Sequence, residues 1–78
     1  MAETTNVHIN GNPVGIAEGV GVQGDTLTIK RMLLDSEKLG DQFGDIEVRG
    51  RVWKILSWDR SYMTGDTHVI EDLTGLCV

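Results

Sequence analysis

Nowhere in this sequence do more than three apolar residues stand together. A membrane-spanning helix needs about 20 consecutive apolar residues, so neither a span nor a signal-type apolar segment is expected, and the chain reads as intracellular. Its apolar side chains must reach a core by being spaced along the chain, and in the longer segments the spacing is two, the period of a half-buried strand. The residue types agree: Val and Ile number 14 and Thr 7, against 2 Ala, and stiff Cβ-branched side chains prefer extended backbone. Ten glycines supply many turns. Only Phe43, Trp53, Trp58 and Tyr62 are aromatic in 78 residues, which leaves a small aliphatic core. A domain this short buries only about 60% of the surface its unfolded chain exposes. Cys77, the single cysteine, allows neither an intrachain disulfide nor a cysteine zinc site. Small domains without such staples often gain burial by oligomerising.

Residues 1–6 have no hydrophobic pattern and are expected to be a mobile start, followed by a single β domain over 7–78. Val7 to Ile9 reads as a strand entering an Asn10-Gly11-Asn12-Pro13 turn, with Val14 to Ile16 returning. Three glycines between Gly19 and Gly24 predict a loop. From Thr26 to Leu34, Leu27, Ile29 and Leu33 alternate with Thr28, Lys30 and Met32, and Arg31 interrupts the apolar face. At most one helical turn is expected after Asp35, whose side chain caps it. The strongest local signal is a hairpin: Ile46 and Val48, an Arg49-Gly50 turn, then Val52 to Trp58. Ile46, Val48, Trp53 and Ile55 are its core anchors, with Trp53 buried and Trp58 exposed. Arg60 to Asp66 reads as a polar loop. Thr67 to Leu73 extends again, with Val69, Glu71 and Leu73 on one side and His68, Ile70 and Asp72 on the other. The fold class is all-β, a small antiparallel sandwich or partly open barrel of five to six short strands.

No motif points to catalysis or a cofactor. Gly19-Val20-Gly21-Val22-Gln23-Gly24 spells G-x-G-x-x-G, but dinucleotide binding needs a helix N-terminus after it, and Asp25 followed by the strand-like Thr26 to Ile29 stands there instead. Asp35 to Asp41 begins like a calcium loop, yet Leu39 and Ile46 occupy ligand positions. His8 and His68 match no metal or catalytic spacing and read as strand histidines, and Cys77 has no identifiable base. A single Trp58-Asp59 pair is no propeller repeat. The chain is read as a non-enzyme without cofactor or metal.

The formal charge is -5, which argues against nucleic-acid binding. All seven basic residues lie between Lys30 and Arg60, giving a nearly neutral middle between acidic flanks that would help subunits orient. Gly19 to Gly24, then a strand, Leu39, Gly44-Asp45 before Ile46-Glu47-Val48, Val52-Trp53-Lys54-Ile55, a polar loop, His68 and Gly75 together resemble the small head-tail joining proteins of lambda-type tailed phages. The resemblance covers roughly residues 19–75. It implies a β-sandwich-like virion protein at the head-tail junction, made in the cytoplasm of the bacterial host. In that family the subunit is a monomer when free and joins a ring, contacting a portal or head-completion protein on one side and a tail protein on the other. The family's longer N-terminal arm is not expected here. Interface candidates are Gly19, Val20, Gly21, Val22, Gln23 and Gly24 in one loop, and Asp35, Glu37, Lys38, Asp41 and Gln42 in the other. No membrane and no specific nucleic acid is expected as partner. The alternative is a small cellular β-barrel module that binds a peptide or single-stranded nucleic acid through Trp58 and Tyr62.

Overall fold

The structure, a computed structural model, describes residues 4–39 and 45–78. Seven strands and one short helix follow one another: β1 (Thr4–Ile9), β2 (Asn12–Gln23), β3 (Thr26–Asp35), α1 (Ser36–Leu39), β4 (Ile46–Val48), β5 (Arg51–Ser57), β6 (Arg60–Thr64) and β7 (Thr67–Cys77). The all-β class with one helical turn is as expected. The domain starts earlier than expected, because Thr4, Thr5 and Asn6 pair with Glu18, Ala17 and Ile16 as part of β1. Residues 1–3 lie outside the described residues.

Every strand pair is antiparallel. Around the ring β1, β2, β3, β7, β5 and β4 pair in turn, and β4 returns to β1. This closes a six-stranded barrel. β6 lies outside the ring. Along one edge β7 pairs with β3 over nearly its whole length. Along the other it pairs with β5 through Thr74–Cys77 and with β6 through Thr67–Glu71. β5 and β6 thus form one interrupted strand, broken at Trp58-Asp59, where the Asp59 amide donates to the Glu71 carbonyl at 2.9 Å. Residues 60–64 were expected to be a loop. They carry no buried side chain, so the alternation that identifies a strand in sequence is absent, although the backbone pairs regularly with β7.

The turns form where the local chemistry places them. Asn10-Gly11 and Arg49-Gly50 both have positive φ at their two residues, the backbone of the two-residue hairpin turn that matches strand twist. The Asp35 Oδ1 accepts from the Glu37 amide at 3.0 Å and caps α1, satisfying one amide that a helix start leaves without a partner.

The core consists of Val7, Ile9, Val14, Ala17, Leu27, Ile29, Met32, Leu34, Ile46, Val48, Trp53, Ile70 and Leu73, with Val20, Ile55 and Cys77 packed against it. Trp53 is completely buried, and its indole Nε1 donates to the Val48 carbonyl at 3.0 Å. The largest side chain of the core therefore brings in no unpaired polar atom.

The simple alternation expected in β3 and β7 is corrected at one place. Leu27 and Ile29 are buried, then Lys30 and Arg31 are both exposed, and burial resumes at Met32 and Leu34. On β7, Ile70 and Leu73 are both buried with Glu71 and Asp72 between them. On β2, Ala17 and Val20 turn inward on either side of Glu18 and Gly19. The positions Gly19, Lys30 and Asp72 drop out of the strand pairing on three adjacent strands, and Gly19 and Asp72 have φ of 62 and 53. Together they make a corner at which the inward-facing phase of all three strands shifts by one residue, as a β-bulge does. Arg31 interrupts no apolar face, because the face has moved.

Gly19 fits this corner for two reasons. Its φ is positive, and a Cβ there would stand 2.6 Å from the Lys30 Cβ.

Candidate functional site

Among the described residues, the two groups of interface candidates lie toward opposite ends of β3 and do not come together. Gly19 to Gln23 form the second half of β2 rather than a loop, and only Gly24 lies in a turn. The glycines misled the sequence reading. Gly19 serves the corner, a Cβ on Gly21 would meet the Thr28 Oγ1 at 2.9 Å, and Gly24 has φ +63. The turn Gly24-Asp25 is held by Arg51, whose guanidinium donates to the Gly24 carbonyl at 3.2 Å and the Asp25 Oδ1 at 3.1 Å. The same guanidinium lies 4.6 Å from the Trp53 ring centroid. The Cys77 thiol as hydrogen-bond partner, and after it Asp25, raise the Arg51 pKa above its ordinary value. Arg51 therefore ties β5 to the β2–β3 turn and remains a cation.

At the other end of β3, Asp35 caps α1 and the exposed Glu37 and Lys38 follow. The Ser36 amide donates to the Asp66 carbonyl at 3.0 Å, which joins α1 to the β6–β7 turn. Asp35, Glu37 and Asp66 line a cleft there with Gly15 and Leu34. This end is acidic, with Lys38 as the basic residue of α1. Asp41 and Gln42 lie outside the described residues, as do Gly40, Phe43 and Gly44.

Lys30, Arg31 and Arg60 lie at or beside the corner, Lys38 on α1, and Arg51 at the Gly24-Asp25 turn. Across the corner, Glu71 is flanked by the Arg31 Nη2 at 3.8 Å and the Arg60 Nε at 3.9 Å.

The hairpin of β6 and β7 shows what sequence reasoning missed. On its outer face Ile16, Leu33, Val69 and Tyr62 stand opposite one another across β2, β3, β7 and β6. Leu33, Val69 and Tyr62 line a shallow cleft with Arg31, Thr64 and Thr67. Leu56, Trp58, Tyr62 and Met63 are all exposed large hydrophobics, so the expected exposure of Trp58 is found. The available signal for β6 was Tyr62 and Thr64, residue types that favour strands, directly before the Gly65-Asp66 turn. The other face of the hairpin carries a 2.7 Å contact between the Ser61 Oγ and the His68 Nε2, a cross-strand tie on exposed surface.

Among the described residues, no three His, Cys, Asp or Glu side chains are arranged to hold a metal ion. No helix among them is long and apolar enough to cross a membrane. Comparison with known proteins finds no matching family model, no similar curated protein and no similar solved structure.

Proposed function

We propose that this chain is a structural subunit of the head-tail junction of a tailed phage or prophage, joining a portal-capped head to a tail as one member of a ring. The observation that carries this reading is the unlikeness of the two ends of β3. One end is acidic, with Asp35 and Glu37 around α1 and Asp66 in the adjoining turn. The other is a turn fixed by the Arg51 guanidinium over Trp53. A joining piece must meet two different partners, and two chemically different ends on one rigid barrel suit that task. The order of motifs from Gly19 to Gly75 supplies the specific setting. On this reading the subunit is a monomer when free, and its partners are further copies in the ring, a portal or head-completion protein, and a tail protein. It resides in the virion junction after passing through the host cytoplasm. The decisive experiment is deletion of the gene followed by electron microscopy of the lysate. Filled heads and separate, complete tails are expected; intact joined particles would overturn the proposal. Neighbouring portal, capsid or tail genes would support it further, whereas a metabolic operon would count against it.

The exposure of Trp58 and Tyr62, with the Arg60 guanidinium 5.8 Å from the Tyr62 ring, favours a second reading as a binding module for a peptide or single-stranded nucleic acid. Aromatic platforms beside arginine stack bases. Titration with labelled oligonucleotides at low salt tests the nucleic-acid branch, and a flat response removes it.

A further inference from the structure

The outer edge of β6 pairs with no strand among the described residues along its whole length, whereas each strand of the ring is paired on both sides over at least part of its length. Its sequence is Arg-Ser-Tyr-Met-Thr, and all five residues are exposed. Natural edge strands are usually blunted by Pro, charged side chains, a bulge or very short length. β6 has no Pro, its single charge is at one end, on Arg60, and its pairing with β7 runs without a shift from Arg60 to Thr64. Such an edge is a template for another strand.

We propose that two copies of this chain pair antiparallel along β6, related by a two-fold axis at Tyr62. Three observations select that occupant and register. First, centring on Tyr62 is the register in which all five residues of both strands are paired: Tyr62 faces Tyr62 of the partner subunit, Arg60 faces Thr64 of the partner subunit, and Ser61 faces Met63 of the partner subunit. Second, it fits the charges. Arg60 is the only charged residue of β6, and this register sets it against a hydroxyl, whereas centring on Arg60 would oppose like charges at a cost. Third, the apolar row Ile16, Leu33, Val69 and Tyr62 on the outer face ends at the edge on a ring that is 39% exposed. The pairing continues that row into the second copy through an aromatic cross-strand pair.

Head-to-tail addition fits less well. β6, β7, β3, β2 and β1 alternate in direction, so β6 and β1 run the same way. A copy added in one orientation would meet β6 with the Thr4–Asn6 stretch of β1 as a parallel strand, which is shorter and less stable per residue.

This two-fold pairing goes beyond the head-tail reading and concerns the free chain alone: it replaces the expected free monomer by a dimer, and because it closes on itself and sets the unlike ends of β3 in opposite directions in the two copies, it is distinct from any ring contact. The first measurement is sedimentation velocity of the full chain over a concentration series. A monomer–dimer equilibrium is expected, with loss of dimer in Tyr62→Lys, which opposes two ammonium groups, and an unchanged far-ultraviolet spectrum. The second places single cysteines in a Cys77→Ser background. Tyr62→Cys should form a disulfide dimer on mild oxidation, because directly opposed strand residues meet the Cα separation a disulfide needs. Arg60→Cys and Thr28→Cys should not. A chain that stays monomeric throughout the series, a dimer that persists undiminished in Tyr62→Lys, or equal cross-linking at all three positions would each overturn the proposal. The lysate microscopy described above is decided independently of these outcomes.

Discussion

β5 and β6 lie along the same edge of β7, one after the other, yet only β5 belongs to the barrel. β5 pairs with β4 on its far side and brings Trp53 fully into the core. β6 has no strand on its far side among the described residues and no buried side chain of its own. Backbone pairing alone therefore does not distinguish a strand that holds the fold from one that is merely carried by it. What distinguishes them is whether the side chains on one face find a second layer. Stabilisation follows buried apolar area, so β5 should be sensitive to substitution and β6 tolerant.

Truncating Trp53 tests the sensitive half most severely. Trp53→Ala removes the largest buried side chain and leaves the Val48 carbonyl without its indole donor, for an expected loss of about 3–5 kcal/mol. In urea titration this variant should be largely unfolded before denaturant is added; a cooperative transition near the wild-type midpoint would break the contrast between the two strands. Gly19→Ala probes the corner between them. A left-handed backbone costs a non-glycine residue roughly 1–2 kcal/mol, and the 2.6 Å approach to the Lys30 Cβ adds to it. The transition midpoint should fall clearly, and an unchanged midpoint would mean that the corner is not held as described.

Arg51→Lys should have a smaller effect, since Arg51 and Asp25 are both solvent-accessible and what is lost is the fork geometry and the stacking over Trp53. Its signature would be a change in tryptophan fluorescence together with a modest shift in thermal midpoint. Tyr62→Ala should change monomer stability by less than about 0.5 kcal/mol, measured at concentrations where association is negligible. A loss comparable to that at Trp53 would show that β6 is structural after all.

The legible part of this fold was the part that local chemistry decides. Asn10-Gly11 and Arg49-Gly50 form hairpin turns because their residues tolerate positive φ, and Trp53 and Trp58 take opposite environments because the strand between them ends. The corner was not legible, since a period of two presumes strands that keep their phase. Lys30-Arg31 and Glu71-Asp72 look like interruptions when each strand is read alone. Only when the strands are set side by side do they become one feature. The candidate site divides similarly. Asp35 and Glu37 stand at a helix start, as Asp35 in its capping position predicts, whereas the glycines of Gly19 to Gly24 predict a loop because glycine marks loops and close strand approaches alike. Gly15 makes the same point: a Cβ there would lie 2.0 Å from the Leu33 carbonyl oxygen, and nothing in its local sequence announces so tight a crossing.

β7 touches three other strands, two of them in the ring, and it comes last in chain order. Its pairing with β3 joins Thr26–Asp35 to Thr67–Leu76, across the whole of α1, β4, β5 and β6. Contacts so distant in sequence require loop closure before they return any stabilisation, and they slow folding. During synthesis, β1, β2 and β3 can form a meander early, but the cylinder cannot shut until residues 67–77 are available. Until then the β3 flank of that meander stays unpaired even after β4 and β5 have joined the β1 flank, and the nascent chain spends that interval as an open sheet.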